Sequence, residues 1–347
     1  MANRIRLLLL SLAVLAAVSA IAYGAYWFHV AGEVRKGLDS WMADRRAAGW
    51  TVEVGQVVVS GFPGPVRLLM ERPQISTPAG ASWQAERVTA RAAPYDLSRV
   101  RVTLTGHHQI AFAGQSATMD AGAADLLLHF HRDGSLDDAT LTAAGLNLTT
   151  PAWSEAVRVA NIAATIDPLD VVNPGHDTPT VTVNAAAQGI KLPPLAGLVM
   201  ERKVALVDLR ARVLGPMPRL PPVEAVARWS ADGGAVEVER LAVEWAPLTL
   251  EAEGTVAFDS RLQPLAAMTA RVRGYGELLD RLSRAGMIAP GPAGAAKLLL
   301  GLMAKPEPRG RPSLPVPVTV QDGGLWFGPA KVMMLPTLEW PGTGSLK

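Results

Sequence analysis

The sequence predicts a mainly β (α+β) protein that is attached to a membrane by one N-terminal helix. An uncharged apolar run lies near the N-terminus, and from Trp50 onward apolar residues recur at every second position. This alternation is typical of strands with one buried face, and such strands form mostly antiparallel sheets. The 32 glycines and 27 prolines favour many short elements joined by turns. We therefore expect a transmembrane helix followed by a large, curved, mostly antiparallel sheet of repeated bent strands, with two C-terminal helices packed on it.

The apolar run covers residues 7–28 and follows Arg4 and Arg6. At about 1.5 Å per residue its length is roughly 33 Å, which is enough to cross a bilayer. Its C-terminal end carries ring side chains that prefer the membrane interface, namely Tyr23, Tyr26, Trp27 and Phe28. We interpret residues 1–28 as a cytoplasmic stub and a transmembrane anchor. The predicted location is the inner membrane, in a single pass, with the N-terminus cytoplasmic and the bulk of the chain periplasmic.

A cleaved signal peptide is the alternative interpretation of this segment, because Ala20 and Ala22 form an A-x-A-like cleavage site. The run is longer than the ~7–15 apolar residues of a signal peptide, which favours the anchor. Under both interpretations the remainder of the chain is exported from the cytoplasm.

Residues 29–49 have the 3.6-residue period of a short juxtamembrane helix, with Val34, Leu38 and Met42 on one face. Gly49 is placed where a helix commonly ends. Arg45 and Arg46 could contact anionic lipid or could belong to an ordinary solvated face.

Residues 50–347 are predicted to form the exported, β-rich domain with some sixteen strands and a helical insert at about 275–304. A repeated pattern stands out in this part: two alternating apolar residues, a slip of one position, two more apolar residues, and a proline eleven residues after the start. A slip in a period-2 pattern predicts a β-bulge that bends the strand. Chance alone would give about one to two such matches in this composition. The copies begin at Val52, Trp83, Val157 and Val236.

The C-terminal third predicts two helices, one over residues 276–285 and one that begins at Pro292, followed by a hairpin with its turn at Asp322-Gly323-Gly324. Paired apolar helices beside a sheet most often cover one of its faces or ends. A lid over a ligand groove is the alternative.

The sequence offers few residues for chemistry. The absence of cysteine excludes disulfides, cysteine-ligated metals and a thiol nucleophile. His129 and His131, with Asp125, could hold a metal if a neighbouring strand supplied another ligand, but they could equally lie on an exposed strand face. His107 and His108 follow Gly106 and are predicted to form a turn. No catalytic motif is present, so we predict no enzyme activity, no cofactor and no metal site.

Three tryptophans stand at or beside copies of the repeat, namely Trp83, Trp153 and Trp229. Core packing at equivalent corners is the simpler interpretation, and a ligand box is the other. The net charge of +2 gives no reason to expect a nucleic-acid partner.

Several motifs together resemble a bacterial family known as domain of unknown function 2125. They include Ser60-Gly61-Phe62-Pro63, Pro94-Tyr95-Asp96-Leu97, Leu278-Leu279-Asp280-x-Leu282, Asp322-Gly323-Gly324-Leu325-Trp326-Phe327 and Leu335-Pro336-x-Leu338-x-Trp340. The resemblance implies an anchor with an exported domain and carries no activity. More loosely, the bent strands behind an anchor are similar to the AsmA-like envelope proteins, which implies apolar β-grooves and lipid handling.

Two functions are open at this point. The first is a membrane-anchored periplasmic protein that binds lipid or another apolar ligand in a β-groove for envelope homeostasis. The second is a non-enzymatic envelope scaffold or protein-interaction domain with a closed core. A continuous apolar trough would favour the first function, and a filled core would favour the second.

Overall fold

The computed structural model describes residues 2–78, 80–112, 115–151, 153, 155–194, 199–218, 220, 222–306, 312–338 and 340. Strands account for 52% of the chain and helices for 23%, which confirms the mainly β fold.

The two predicted N-terminal helical segments form one continuous helix, α1, over Ala2–Ala47. It ends as expected at Gly49, whose φ of 81° suits glycine. The amides of Gly49 and Trp50 donate hydrogen bonds to the carbonyls of Arg46 and Arg45 and so close the last turn. One rigid element therefore runs from the apolar segment to the start of the sheet.

Seventeen strands follow within the described residues. They are β1 Thr51–Glu53, β2 Gln56–Ser60, β3 Val66–Glu71, β4 Gln74–Ser76, β5 Ser82–Ala93, β6 Asp96–Phe112, β7 Gln115–Phe130, β8 Leu136–Thr149, β9 Val157–Pro168, β10 Pro179–Lys191, β11 Lys203–Leu214, β12 Ala235–Trp245, β13 Leu248–Phe258, β14 Pro264–Arg273, β15 Leu314–Gln321, β16 Gly324–Phe327 and β17 Ala330–Met334.

The strands pair in chain order as one antiparallel meander. From β5 to β17 each strand pairs with the next one along the chain. At the first edge, β3 and β4 lie one after the other along β5, while β2 pairs with β3 and β1 with β4. Antiparallel neighbours can be joined at the same end of the sheet, so successive strands stay adjacent and the sheet extends without a crossover.

The repeated phase slip corresponds to bends in the strands. In β5 the register shifts between Ala85 and Arg87, and in β12 it shifts between Val238 and Leu241. The first copy is interrupted at Gly55, between β1 and β2. The copy in β9 keeps a constant register with both neighbours. Its flanking strands instead carry left-handed glycines, Gly145 and Gly189, so the three strands change phase together.

The described part of the chain contains three further helices, namely α2 Pro222–Ala231, α3 Tyr275–Arg284 and α4 Pro290–Met303. α3 and α4 lie where two C-terminal helices were predicted. They contact each other, and α4 contacts β15. α2, which connects β11 to β12, was not predicted from the sequence. Its Trp229 is buried and donates a 2.7 Å hydrogen bond to the Leu214 carbonyl.

The sheet buries few large side chains. The two fully buried side chains of greatest volume are His108 and Val52, and the two clusters of buried apolar residues are small. The accessible surface is 21414 Å², whereas a compact monomer of 36.7 kDa exposes about 13,500 Å². The projecting helix and the open sheet both contribute to this excess.

Candidate functional site

One face of the sheet is apolar along continuous cross-strand rows. Residues that are paired across an antiparallel ladder point to the same face, so the pairings follow a row from strand to strand. The first row is Val57, Met70, Val88, Leu104, Ala124, Ala143, Ile162, Ala187, Val207, Val243, Leu250, Val272 and Leu314. The second is Val59, Leu68, Ala90, Val102, Leu126, Leu141, Ala164, Ala185, Leu209, Leu241, Ala252, Ala270 and Val316. We call the surface built on these rows the apolar face.

The opposite surface, which we call the polar face, carries charged and hydroxyl side chains. On it Arg212 lies 3.1 Å from Glu237 and 2.8 Å from Glu239, and the Thr103 hydroxyl donates a 2.6 Å hydrogen bond to Asp125. These partners belong to neighbouring strands. Because one face is hydrated and the other is apolar, the sheet is amphipathic over its whole width.

The apolar face lacks a covering helical layer over its central strands in the described structure. Helix contacts with strands lie where α1 meets β1 and β2, where α4 meets β15, and at one end of β11–β13, where Trp229 of α2 packs 6.5 Å from Phe258. Large side chains on this face are mostly half-buried by their neighbours, and Ile166 is 44% exposed. The face is thus open.

The aromatic end of the apolar helix holds two corners of the sheet. The Tyr26 hydroxyl donates a 2.7 Å hydrogen bond to the Pro94 carbonyl, and the Trp27 indole donates one of 2.7 Å to the Gly64 carbonyl. Phe62 packs its ring 5.6 Å from Trp27 and 5.4 Å from Phe28. These contacts place the β2–β3 and β5–β6 corners beside the C-terminal end of the apolar segment.

The two arginines considered as lipid contacts, Arg45 and Arg46, lie in the last turn of α1. Arg46 donates to the Val52 carbonyl, and Arg45 lies 5.6 Å from the centre of the Trp50 ring. Twenty residues separate Arg46 from Tyr26, which is about 30 Å of helix. These contacts support a structural role for both arginines rather than a role at the lipid headgroups.

His129 and His131 do not form a metal site with Asp125. His129 Nδ1 lies 2.5 Å from Asp138, and His131 Nε2 lies 3.3 Å from Asp137, so each histidine pairs with its own carboxylate across the β7–β8 hairpin. Asp125 is bonded to Thr103 instead. Within the described residues, no group of three or more histidines and carboxylates is arranged to hold a metal ion.

The predicted turn at His107 and His108 was wrong, because both residues lie inside β6. Gly106 has a φ of 83° and takes up a shift in register against β7, which lets the strand bend and continue. His108 is fully buried on the apolar face between Ala85 and Met119 and stacks 6.1 Å from Trp83. Neither of its ring nitrogens has a hydrogen-bond partner among the residues that the structure describes.

Replacing His108 by leucine should stabilise the protein. Burial lowers the pKa of His108, with Asp120 and Glu86 opposing the shift and His107 adding to it, so the folded protein holds a neutral ring. An unpaired buried polar group costs about 1–3 kcal/mol, and His108→Leu removes that cost. The unfolded chain binds the proton more readily, so wild-type stability should fall as the pH drops below about 6.5.

Thermal unfolding of both proteins at neutral and mildly acidic pH measures this effect. The difference between variant and wild type should widen on acidification, since His108→Leu no longer titrates there. A difference that is independent of pH would contradict a neutral, unpaired His108.

The three tryptophans beside the repeat are not equivalent, which corrects the expectation of common corner packing. Trp83 lies in β5, Trp153 is 38% exposed between β8 and β9, and Trp229 is buried in α2. Their surroundings differ because the segments that lead into the copies differ: Trp83 is already in a strand, Trp153 lies in the β8–β9 connection, and Trp229 lies in a helix.

The C-terminal helix pair leaves apolar side chains in solvent. An ion pair of 2.7 Å joins Lys297 of α4 to Asp280 of α3, and Arg281 lies 3.5 Å from Glu201. Leu298 is 74% exposed and Leu302 is 85% exposed. In this arrangement α4 contacts β15 and α3 reaches the segment before β11, and the action of the pair as a lid stays a prediction.

The family comparison agrees with the resemblance in the sequence. A bacterial family described as "Uncharacterized protein conserved in bacteria (DUF2125)" matches residues 27–336, which is the chain from the end of the apolar segment through the last strand. No curated protein and no solved structure gave a match. The motifs quoted for the resemblance hold corners and turns: Phe62 packs on α1, and Trp340 donates to the Leu262 carbonyl at 2.8 Å. The chain belongs to the DUF2125 family of bacterial proteins.

Proposed function

We propose that the protein is anchored in the inner membrane, with its sheet in the periplasm, and that it binds lipid acyl chains on its apolar face for envelope homeostasis. The observation that carries this proposal is the continuity of the apolar rows, which meet no polar side chain across thirteen strands. At about 4.8 Å per strand each row is roughly 58 Å long. A bilayer of two acyl layers has a core of only about 30 Å, so the face could hold several chains.

The chemistry of the apolar face favours hydrocarbon over a peptide. A peptide brings backbone donors and acceptors that lose free energy when they are buried without partners. Among the residues of the two long rows no side chain can form such hydrogen bonds. A hydrocarbon needs none, and each buried CH₂ contributes about 0.8 kcal/mol.

The apolar face is also continuous with the apolar helix. Val66 and Val59 of the first strands pack against Trp27, Val30 and Ala31 of α1. Since α1 has the length and hydropathy of a membrane span, this contact would give an acyl chain an apolar route from the bilayer to the sheet. An N-terminal signal sequence passes the same length test, so anchoring belongs to this proposal.

The scaffold alternative assumes a closed core. A closed core of this size would bury many leucines and valines completely, as close-packed interiors do. The described structure instead leaves most of them half-buried, with small buried clusters. This favours lipid binding over the scaffold.

Photocrosslinking of the full-length protein tests the proposal. A fatty acid with a diazirine at its terminal carbon is incorporated into membrane lipids, and labelled peptides are then identified by mass spectrometry. We expect label on apolar-face residues of β6–β13 and lipid adducts that survive detergent washing in native mass spectra. Label restricted to residues 7–28, with a sheet that is empty after expression in several conditions, would overturn the proposal.

A further inference from the structure

Three arginines stand side by side on the polar face, and we call them the arginine row. Arg67 of β3 pairs with Arg91 of β5, which pairs with Arg101 of β6. Directly opposed residues in antiparallel strands have their Cβ atoms about 4.5–5.5 Å apart, and like charges at that spacing destabilise a sheet. Local stability therefore gives no reason for three cations in one row.

No carboxylate offsets this charge in the described part of the chain. All three side chains are exposed, and none has an ion pair with a described residue, whereas other arginines on the same face, such as Arg212 and Arg271, have glutamate partners. The neighbouring acids are engaged elsewhere: Asp125 accepts from Thr103, and Glu71 lies opposite Arg87 one row further on. The row is an uncompensated positive patch.

The arginine row lies next to the two corners that α1 holds. Arg91 is three residues before Pro94, which accepts the hydrogen bond from Tyr26, and Arg67 is four residues after Pro63, which accepts one from Tyr23. Three strand residues span about 10 Å, and an extended arginine side chain can reach back over much of that distance. Beside them Phe62 is 48% exposed and Tyr95 is 82% exposed, so apolar rings stand at the same corners.

From this placement we infer that the arginine row binds the headgroups of anionic phospholipids where the sheet meets the bilayer, an inference that rests on the anchoring of α1 in the proposed function. Guanidinium groups pair with phosphate oxygens in bidentate fashion. The corner aromatics place the row at the membrane surface, so a bilayer lipid reaches it before a soluble anion does. The row would thereby select the class of lipid presented beside the apolar face.

Lipid selectivity of the full-length protein in proteoliposomes tests the inference. Spin-labelled phosphatidylglycerol and phosphatidylcholine report the relative association of each lipid with the protein. Each arginine near a charged surface is worth about fivefold in binding, so we expect at least a fivefold preference for phosphatidylglycerol that weakens at high salt. The variant with Arg67→Gln, Arg91→Gln and Arg101→Gln should lose this preference.

A second triple variant is the matched control, with Arg210→Gln, Arg240→Gln and Arg271→Gln on the same face further along the sheet. It removes the same charge and should keep the preference. Equal selectivity in the two variants, or no loss in the first, would overturn the inference. Displacement of the lipid by an excess of soluble glycerophosphoglycerol would also overturn it, because the row would then bind a free anion.

Thermal unfolding and acyl crosslinking show whether a loss of headgroup binding comes from a folding defect or from a loss of acyl-chain binding. The arginine-row variant should unfold at the same temperature as wild type or higher, since it relieves repulsion between like charges. Acyl crosslinking to the apolar face should persist in it. If the wild-type protein shows headgroup selectivity but no acyl crosslinking, acyl-chain binding on the apolar face is contradicted. Headgroup binding by the arginine row is then still supported.

Discussion

Ala185→Glu should reduce the lipid bound by the protein on the order of a hundredfold, whereas Ala186→Glu should leave it unchanged. The two alanines are neighbours in β10 and are both partly buried, but they point to opposite faces. Ala185 pairs with Leu209 and Ala164 on the apolar face, while Ala186 pairs with Asp208 and Ala163 on the polar face. A carboxylate placed in a hydrocarbon environment costs about 2.5–3.5 kcal/mol, which gives the expected factor.

The lipid retained in native mass spectra and the midpoint of thermal unfolding together distinguish lipid binding on an open face from a scaffold with a closed core. If the apolar face is open, the new carboxylate reaches water and Ala185→Glu loses no more than about 1 kcal/mol of stability. In a closed core the same change would bury an unpaired charge and cost about 3–5 kcal/mol. Equal lipid retention by the two variants would contradict acyl-chain binding on this face.

Local sequence signals predicted the elements that depend on nearby residues. The apolar run and Gly49 indicated α1 and its end, and the phase slip indicated bends that the register shifts in β5 and β12 bear out. The prediction failed where local signals conflict. A glycine before two histidines resembles a turn, yet Gly106 serves as a bulge inside β6.

The cross-strand rows could not be predicted, because they depend on the register between strands that are far apart in the sequence. Each strand shows alternation by itself, but only the pairing places Ala143 between Ala124 and Ile162. The arginine row is hidden for the same reason, since its members are separated by 24 and 10 positions in the chain. A one-residue change of register would move either set to the other face.

α2 was missed for a different reason. Six of its ten residues are apolar, but three of these are alanines, so only Val223, Val226 and Trp229 mark a helical face, and prolines on its N-terminal side resemble a loop. Pro222 at the first position, Glu224 in the first turn and Trp229 facing the sheet are signals that could have identified it.

Trp27→Ala should detach α1 from the sheet. We expect it to lower stability more than any other single substitution where α1 contacts the β2–β3 corner. The side chain is 2% exposed, packs in a cluster with Val30, Ala31 and Val66, and donates to the Gly64 carbonyl. Truncation of a buried tryptophan typically costs about 3–5 kcal/mol. Hydrogen exchange over residues 57–66, together with the unfolding midpoint in detergent, measures the loss.

Trp41→Ala is the matched control, because Trp41 lies on the same helix but is 39% exposed. It should change stability by less than about 1 kcal/mol and leave exchange at residues 57–66 as in wild type. If Trp27→Ala leaves these amides protected, α1 is held by its remaining contacts, and the corner is not what places the sheet at the membrane. If protection is lost while the helix stays in the bilayer, the aromatic residues of α1 set the position of both the apolar face and the arginine row. Both surfaces begin at the strands that Trp27 contacts.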